Sequence, residues 1–270
     1  MISNPSKDLR VLSLNLRFGL ADDGPNSWPL RSVAYPDLIA QNPCDFYAFQ
    51  EANDFQISFL EELLRDYRYI GQRRPAPDYW QNNVIFYHKR WRCLDHHHFF
   101  LSDTPEVVSQ FIGSRWPRQC TMGTFKQADR RLTVVNTHFD FKPEVQRRSA
   151  LLICRRLERL APVWPIVLMG DLNAGADSSC LEVFANYGDG FRSALQSSGT
   201  GTHHGFRGSP QGEAIDWILY HGGIQVKQSR VVTDKYCGYF PSDHFPLIAY
   251  FSFLHTTVAL RTPPASTTKS

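Results

Sequence analysis

The sequence predicts a single α/β domain, and three observations carry that expectation. Short apolar runs of strand length recur along the whole chain. A few longer segments with helical spacing lie among them, as in layered α/β proteins. No linker long enough to divide two cores interrupts the 270 residues, of which 42% are hydrophobic and 20% charged, so one sizeable core can form.

In chain order, residues 9–16 (LRVLSLNL) alternate apolar and polar side chains, as a half-buried strand does. Residues 29–42 read as a helix, although Pro36 lies inside it and removes a backbone donor. Strands are expected over 45–50, 83–87, 132–137, 165–169, 215–219 and 245–253, some buried on both faces. A second helix is expected over 54–66. The clearest helix is 144–160, where Ala150, Ile153, Cys154, Leu157 and Leu160 form an apolar stripe and the arginines lie mostly off it. The Gly/Ser-rich stretch 197–212 reads as a surface loop. One domain over 8–254 and a disordered tail over 255–270, rich in Thr, Pro and Ser, complete the expectation.

A formal net charge of +3 does not announce a nucleic-acid binder, though arginine clusters suit an anionic substrate. Six cysteines show no paired spacing, so free thiols are expected rather than a zinc site or disulfide framework. No apolar run approaches the ~18–20 residues of a membrane span, and the first ten residues lack a signal-peptide core. The expectation is a cytoplasmic monomer.

Polar residues at the ends of the apolar runs are the candidates for chemistry. Hydrolysis of a phosphate ester needs a divalent cation held by oxygen ligands, a group that orients and deprotonates water, and donors for the crowded transition state. Glu51 ends the run FYAFQE. Asp171 and Asn173 follow IVLMG, two residues apart and so on one side of an extended chain. His138 and Asp140 have the same spacing after 132–137. Asp216 lies in an apolar run where an unpaired charge is expensive, and His244 of Ser242-Asp243-His244 is the natural cationic partner. Each residue alone has an ordinary structural use, as a turn, a cap or a solvated strand end. The triplet His96-His97-His98 reads as a surface run, since three adjacent strand residues cannot face one ion. His203-His204 can line a cleft mouth.

Taken in order, Asn15, Gln50-Glu51, NTHFD from Asn136, GDLN from Gly170, Ile215-Asp216 and Ser242-Asp243-His244 resemble the endonuclease/exonuclease/phosphatase superfamily. This superfamily includes deoxyribonucleases, abasic-site endonucleases, deadenylases, inositol polyphosphate 5-phosphatases and neutral sphingomyelinases. DDGPNSWPLR from Asp22, FLSDTPE from Phe100 and GTHHGF from Gly201 are similar to a group of stand-alone, largely bacterial members. The resemblance implies a four-layer α/β sandwich, with two packed mixed β-sheets flanked by helices and a site at one end of the sheets. It implies Mg²⁺, with Mn²⁺ as an alternative, held mainly by Glu51 with Asn15 and Asp243. Asp171 with Asn173 would activate water, His244 backed by Asp216 would contact the phosphate, and His138 would stabilise its charge. Arg118, Asn83 and His203 are the candidates for substrate contact. Where the bacterial group has Arg followed by a Thr-Trp pair, this chain has Arg118-Gln119-Cys120.

Three functions remain open on sequence. One is a metal-dependent phosphoesterase of a phosphodiester or phosphomonoester. Another is a nuclease of the same fold, for which Tyr79, Trp80 and Trp116 beside basic residues can stack single-stranded bases. The third is a binding module without chemistry, disfavoured by the intact carboxylate set.

Overall fold

The structure, a computed structural model, describes residues 8–195 and 199–254, so the expected tail over 255–270 lies outside the described residues. Two six-stranded mixed sheets pack face to face. The first is built from β1 (Asp8–Asn15), β2 (Phe46–Ala52), β3 (Tyr67–Ile70), β4 (Asn82–His88), β11 (Ile224–Val231) and β12 (Leu247–Phe253), in the order β11-β12-β1-β2-β4-β3. The second contains β5 (Arg92–Phe100), β6 (Gln119–Gln127), β7 (Arg130–His138), β8 (Ile166–Asp171), β9 (Arg192–Ser193) and β10 (Asp216–His221), in the order β5-β6-β7-β8-β10-β9. Each sheet has one parallel pair at its centre, β1 with β2 and β7 with β8, and antiparallel neighbours outside it.

Three apolar layers hold the sandwich together. Between the sheets, Val11, Phe46, Ala48 and Phe251 meet Phe125, Val134, Val167 and Ile218. Outside the first sheet, α1 (Trp28–Arg31), α2 (Tyr35–Gln41) and α3 (Asp54–Leu63) contribute Trp28, Tyr35, Leu38, Ile57 and Leu60 to the cover over Tyr47 and Phe86. Outside the second, α4 (Pro143–Leu160) lays Ala150, Ile153, Cys154 and Leu157 beside Phe184 of α5 (Ser179–Ala185). The central strands are therefore buried on both faces, which is why 166–169 reads as a continuous apolar run rather than an alternating one.

The helix expected over 29–42 is in fact α1, a 3₁₀ turn over Ser32–Ala34 and α2. Pro36 sits in the first turn of α2, where its missing N–H has no intrahelical partner to lose. Strands β3, β5, β6, β9 and β11 and helix α5 carry weak sequence patterns. β5 and β11 are mostly exposed edge or near-edge strands, without the apolar alternation that marks a half-buried one. On β5, His96 and His97 are exposed, whereas His98 bonds Thr121 Oγ1 through Nδ1 at 3.0 Å. All six cysteines are free, and no described helix is long and apolar enough to cross a membrane.

Two buried amides staple the sheets directly beneath the site. Gln50 Nε2 donates to Asn136 Oδ1 at 2.7 Å, and Asn136 Nδ2 donates to the carbonyls of Phe49 and Val84 on the opposite sheet. Gly170, paired with Thr137 in the β7–β8 ladder, lets β8 approach its neighbour so closely that a Cβ would lie 2.1 Å from the Thr137 carbonyl oxygen. That backbone cannot yield without breaking the ladder. Gly170→Ala is expected to cost ~3 kcal/mol or more, read as a lowered midpoint in urea unfolding; an unchanged midpoint would contradict the close approach.

Candidate active site

The site lies at the end of the sandwich where β1, β2, β7 and β8 finish and β10 begins. Pairing registers place its residues in a row: Asn15 opposite Gln50 in the first sheet, and His138, Asp171 and Asp216 as successive cross-strand neighbours in the second. Asp243 and His244 come from the loop before β12, which is pinned to the Gly-rich loop by a bridge between His203 and His244. Thr202 ties that loop to β10, its Oγ1 accepting from the backbone N–H groups of Ile215 and Asp216.

Several of these residues occupy unusual backbone. Glu51 has φ 58° at a register shift between β2 and β4, and Arg17 (φ 61°) and Asn173 (φ 49°) flank the same cleft. Left-handed conformations of non-glycine residues cost of order 1–3 kcal/mol each and cluster where function needs them. The bulge re-aims Glu51, whose Oε1 accepts from Asn15 Nδ2 at 3.1 Å and whose Oε2 accepts from the Phe18 N–H at 2.7 Å.

Asn15 is a clamp between carboxylates. Its amide also donates to Asp171 Oδ2 at 3.0 Å, while its Oδ1 accepts from the Arg17 N–H at 2.8 Å. Asp171 is buried; its Oδ1 accepts from the Asn173 N–H, and its Oδ2 faces His138 Nε2 at 3.4 Å and His244 Nε2 at 3.8 Å. Burial, reinforced by the nearby Asp216 charge, pushes the Asp171 carboxyl up to about 7.

The two imidazoles have opposite characters. His138 Nδ1 lies 3.0 Å from an Arg118 guanidinium nitrogen, which can only donate, so the ring proton belongs on Nε2. Burial and the Arg118 charge hold His138 well below its usual range, hence neutral. His244 Nδ1 is 2.8 Å from Asp216 Oδ2. Burial alone would lower the pKa of His244, but the carboxylates of Asp216 and Asp171 outweigh it and raise it to about 10. Asp243 accepts from Ser242 Oγ, with Arg17 Nε and His203 Nε2 each 3.7 Å from its Oδ2. Burial opposes its ionisation, but His203, His244 and Arg17 prevail and hold its carboxyl well below the usual range.

The donor set fits a hard divalent cation. Glu51, Asp171, Asp216 and Asp243 bring carboxylate oxygens to one end of the sheets, and Asp216 Oδ1 is buried with no hydrogen-bond partner among the described residues. Ligand atoms of Asp171, Asp216 and His244 lie within 4.8 Å of one another, as do those of His203, Asp243 and His244. Both groupings run through His244, whereas Glu51 meets Asn15, Phe18 and His138.

Of the residues singled out in the sequence, Asn173 bonds the Phe139 carbonyl and lies 3.1 Å from His138 Nε2. Asn83 and Arg118 line a cavity beside His138, with the Asn83 amide donating to the Gln119 carbonyl. His203 is half-exposed at the cleft mouth. His204 instead stacks on Phe245 at 3.9 Å, away from chemistry. Asp140 accepts from Ser114 Oγ and the Arg115 N–H, anchoring the segment that carries Arg118. Sequence reasoning missed Arg31, which is fully buried beneath the site. Its guanidinium donates to the carbonyls of Pro241 and Arg17, holding the two chain segments that flank the carboxylates. The only signal was its place in NSWPLR.

Fold and pocket together are those of a hydrolase acting on phosphate esters. The chain belongs to the Endonuclease/Exonuclease/phosphatase family, whose model matches residues 12–244. It is similar, at 27% identity, to an endonuclease/exonuclease/phosphatase family protein from Bacteroides thetaiotaomicron (91% of this chain and 98% of that one, TM-score 0.83). A mannosyl-6-phosphatase from the same organism is also 27% identical (91% and 100%, TM-score 0.84). The human Nocturnin catalytic domain shares the fold at 18% identity (92% and 95%, TM-score 0.71). No curated protein sequence matches the chain.

Proposed function

We propose that the chain hydrolyses a phosphate ester by attack of water on phosphorus, with Asp171 as the water-activating base. The observation that supports this most directly is the setting of Asp171 Oδ2, which faces the Asn15 amide and two imidazoles, one neutral and one protonated. A buried carboxylate with a raised pKa is a better base than a solvated one at neutral pH. Asn15 orients it, and Asn173 donates to its other oxygen. His244, kept as an imidazolium by Asp216, directs its Nε2–H toward an anionic phosphoryl oxygen. His138, neutral and fixed by Arg118, offers an Nε2–H without adding charge. Arg118 is a buried guanidinium whose Nε has no partner among the described residues, and it suits a phosphoryl oxygen.

Glu51 would be the main ligand of Mg²⁺ or Mn²⁺, with Asp243 and Asn15 in support; Asn15 would then have to share its oxygen with the Arg17 N–H. When bound, the cation supplies charge neutralisation on the phosphoryl oxygens. The 27%-identical mannosyl-6-phosphatase favours a phosphomonoester over a long polymer. So does the near-neutral chain, since tight binding to nucleic acid rests on many phosphate contacts.

The test is metal dependence. Purified protein is expected to hydrolyse p-nitrophenyl phosphate or its bis ester with Mg²⁺ or Mn²⁺, and to lose ~100-fold or more of the rate in excess EDTA. Full activity in EDTA would sink the mechanism.

A further inference from the structure

We infer that the cavity beside His138 seats the leaving group of the ester, and that it takes a single uncharged, hydroxylated ring: a sugar carrying one phosphate. This rests on the phosphoesterase reading above and adds the class of substrate.

The cavity, about 380 Å³, is continuous with the site because Arg118 and His138 belong to both. That volume is near the lower end of ligand pockets, roughly 300–1,000 Å³. It suits one ring rather than a run of nucleotides. Its walls are apolar and aromatic, from Phe18, Tyr79, Trp80 and Trp116. Tyr79 is 64% exposed and Trp116 52%, a large aromatic surface left uncovered next to chemistry.

The polar atoms of the lining decide what kind of ring. Trp80 Nε1 and Arg118 Nε are each buried with no hydrogen-bond partner among the described residues, and both belong to lining side chains, whereas Gln119 pairs with the His98 imidazole. Bare buried donors are costly, and here two belong to the wall of one cavity. A hydroxyl oxygen accepts, so a ring carrying several can satisfy both. The apolar faces of such a ring suit the aromatic walls. Charge excludes a polyphosphorylated leaving group. Arg118 is the one permanently charged side chain among the lining residues, and one of its guanidinium nitrogens is already committed to His138.

The experiment compares kcat/KM, with Mg²⁺, for a hexose 6-phosphate, glycerol 3-phosphate and a nucleoside 5′-monophosphate, beside p-nitrophenyl phosphate and its bis ester. The hexose ester is expected to exceed the glycerol ester by ~10- to 100-fold. Trp116→Ala should reduce that ratio severalfold; Trp116 lies at the surface, so its replacement leaves the core intact. Equal rates on the hexose and glycerol esters would overturn the inference, as would a preference for the nucleotide or a ratio unchanged in the variant. In those cases continued hydrolysis of the nitrophenyl esters would leave the phosphoesterase reading standing. Inactivity on every ester with either metal would overturn both.

Discussion

Asp171→Asn is expected to lower kcat on bis-p-nitrophenyl phosphate by ~10³-fold, within the range lost when a positioned general base is removed. The same change should leave the fold intact and raise thermal stability in EDTA above pH 7. The reason is electrostatic. Asp171 is buried beside Asp216, and its folded-state pKa is raised to about 7 from 3.8. The folded state therefore binds more protons than the unfolded chain between those values. Metal-free stability falls as pH rises from about 4 to about 7, and the cost of the ionised carboxylate persists above that. An amide keeps the acceptor for the Asn173 N–H and removes the charge, which outweighs the loss of the oxygen that accepts from Asn15. Thermal melts of both proteins in EDTA at pH 8 and a rate assay with Mg²⁺ check the two halves. Wild-type activity in the variant would remove Asp171 from the mechanism, and a lower melting temperature would remove the account of its strain.

Asp216→Asn is expected to act through His244. Asp216 Oδ2 holds His244 Nδ1 at 2.8 Å, and the raised His244 pKa, about 10, keeps the ring protonated through the neutral range. A raised histidine pKa means that the charged form is fully present at low pH and is lost only as pH rises through the folded value. In the wild type the alkaline limb of the rate profile should therefore lie near 10. In Asp216→Asn it should move toward the ordinary 6.5, with kcat at pH 8 reduced by ~10²-fold or more, as when the orienting carboxylate of a carboxylate–histidine pair is neutralised. A kcat–pH profile on the nitrophenyl ester reads both effects. An unshifted alkaline limb would show that Asp216 does not set the charge of His244.

The helices over 54–63 and 143–160 and the buried central strands were legible because their apolar periodicity is local. The edge strands β5 and β11 were not, since a strand with one neighbour and wet faces needs no apolar pattern. Pro36 pointed to an interrupted helix, and it opens the first turn of a new one. At the site, Glu51, His138, Asp171 and Asp216 could be picked out because each polar residue stands at or near the end of an apolar run. Asn15 and Arg31 could not be understood that way. The bonds of Asn15 to Glu51 and Asp171 span 36 and 156 residues, and Arg31 reaches Pro241 across 210.

What the sequence alone determined was the set of chemical groups and their order along the apolar runs, which predicts an oxygen-rich, imidazole-flanked site for a phosphate ester. What tertiary structure decided was how those groups differ from one another. His138 and His244 are the same side chain, yet one is neutral because it is buried with Arg118 facing it, and the other cationic because Asp216 and Asp171 outweigh its burial. Asp171 and Asp243 are the same carboxyl, pushed up by burial and Asp216 in one case and, against burial, pulled down by His203, His244 and Arg17 in the other. Protonation depends on the charges within a few ångströms, and only the packed sheets bring those charges together.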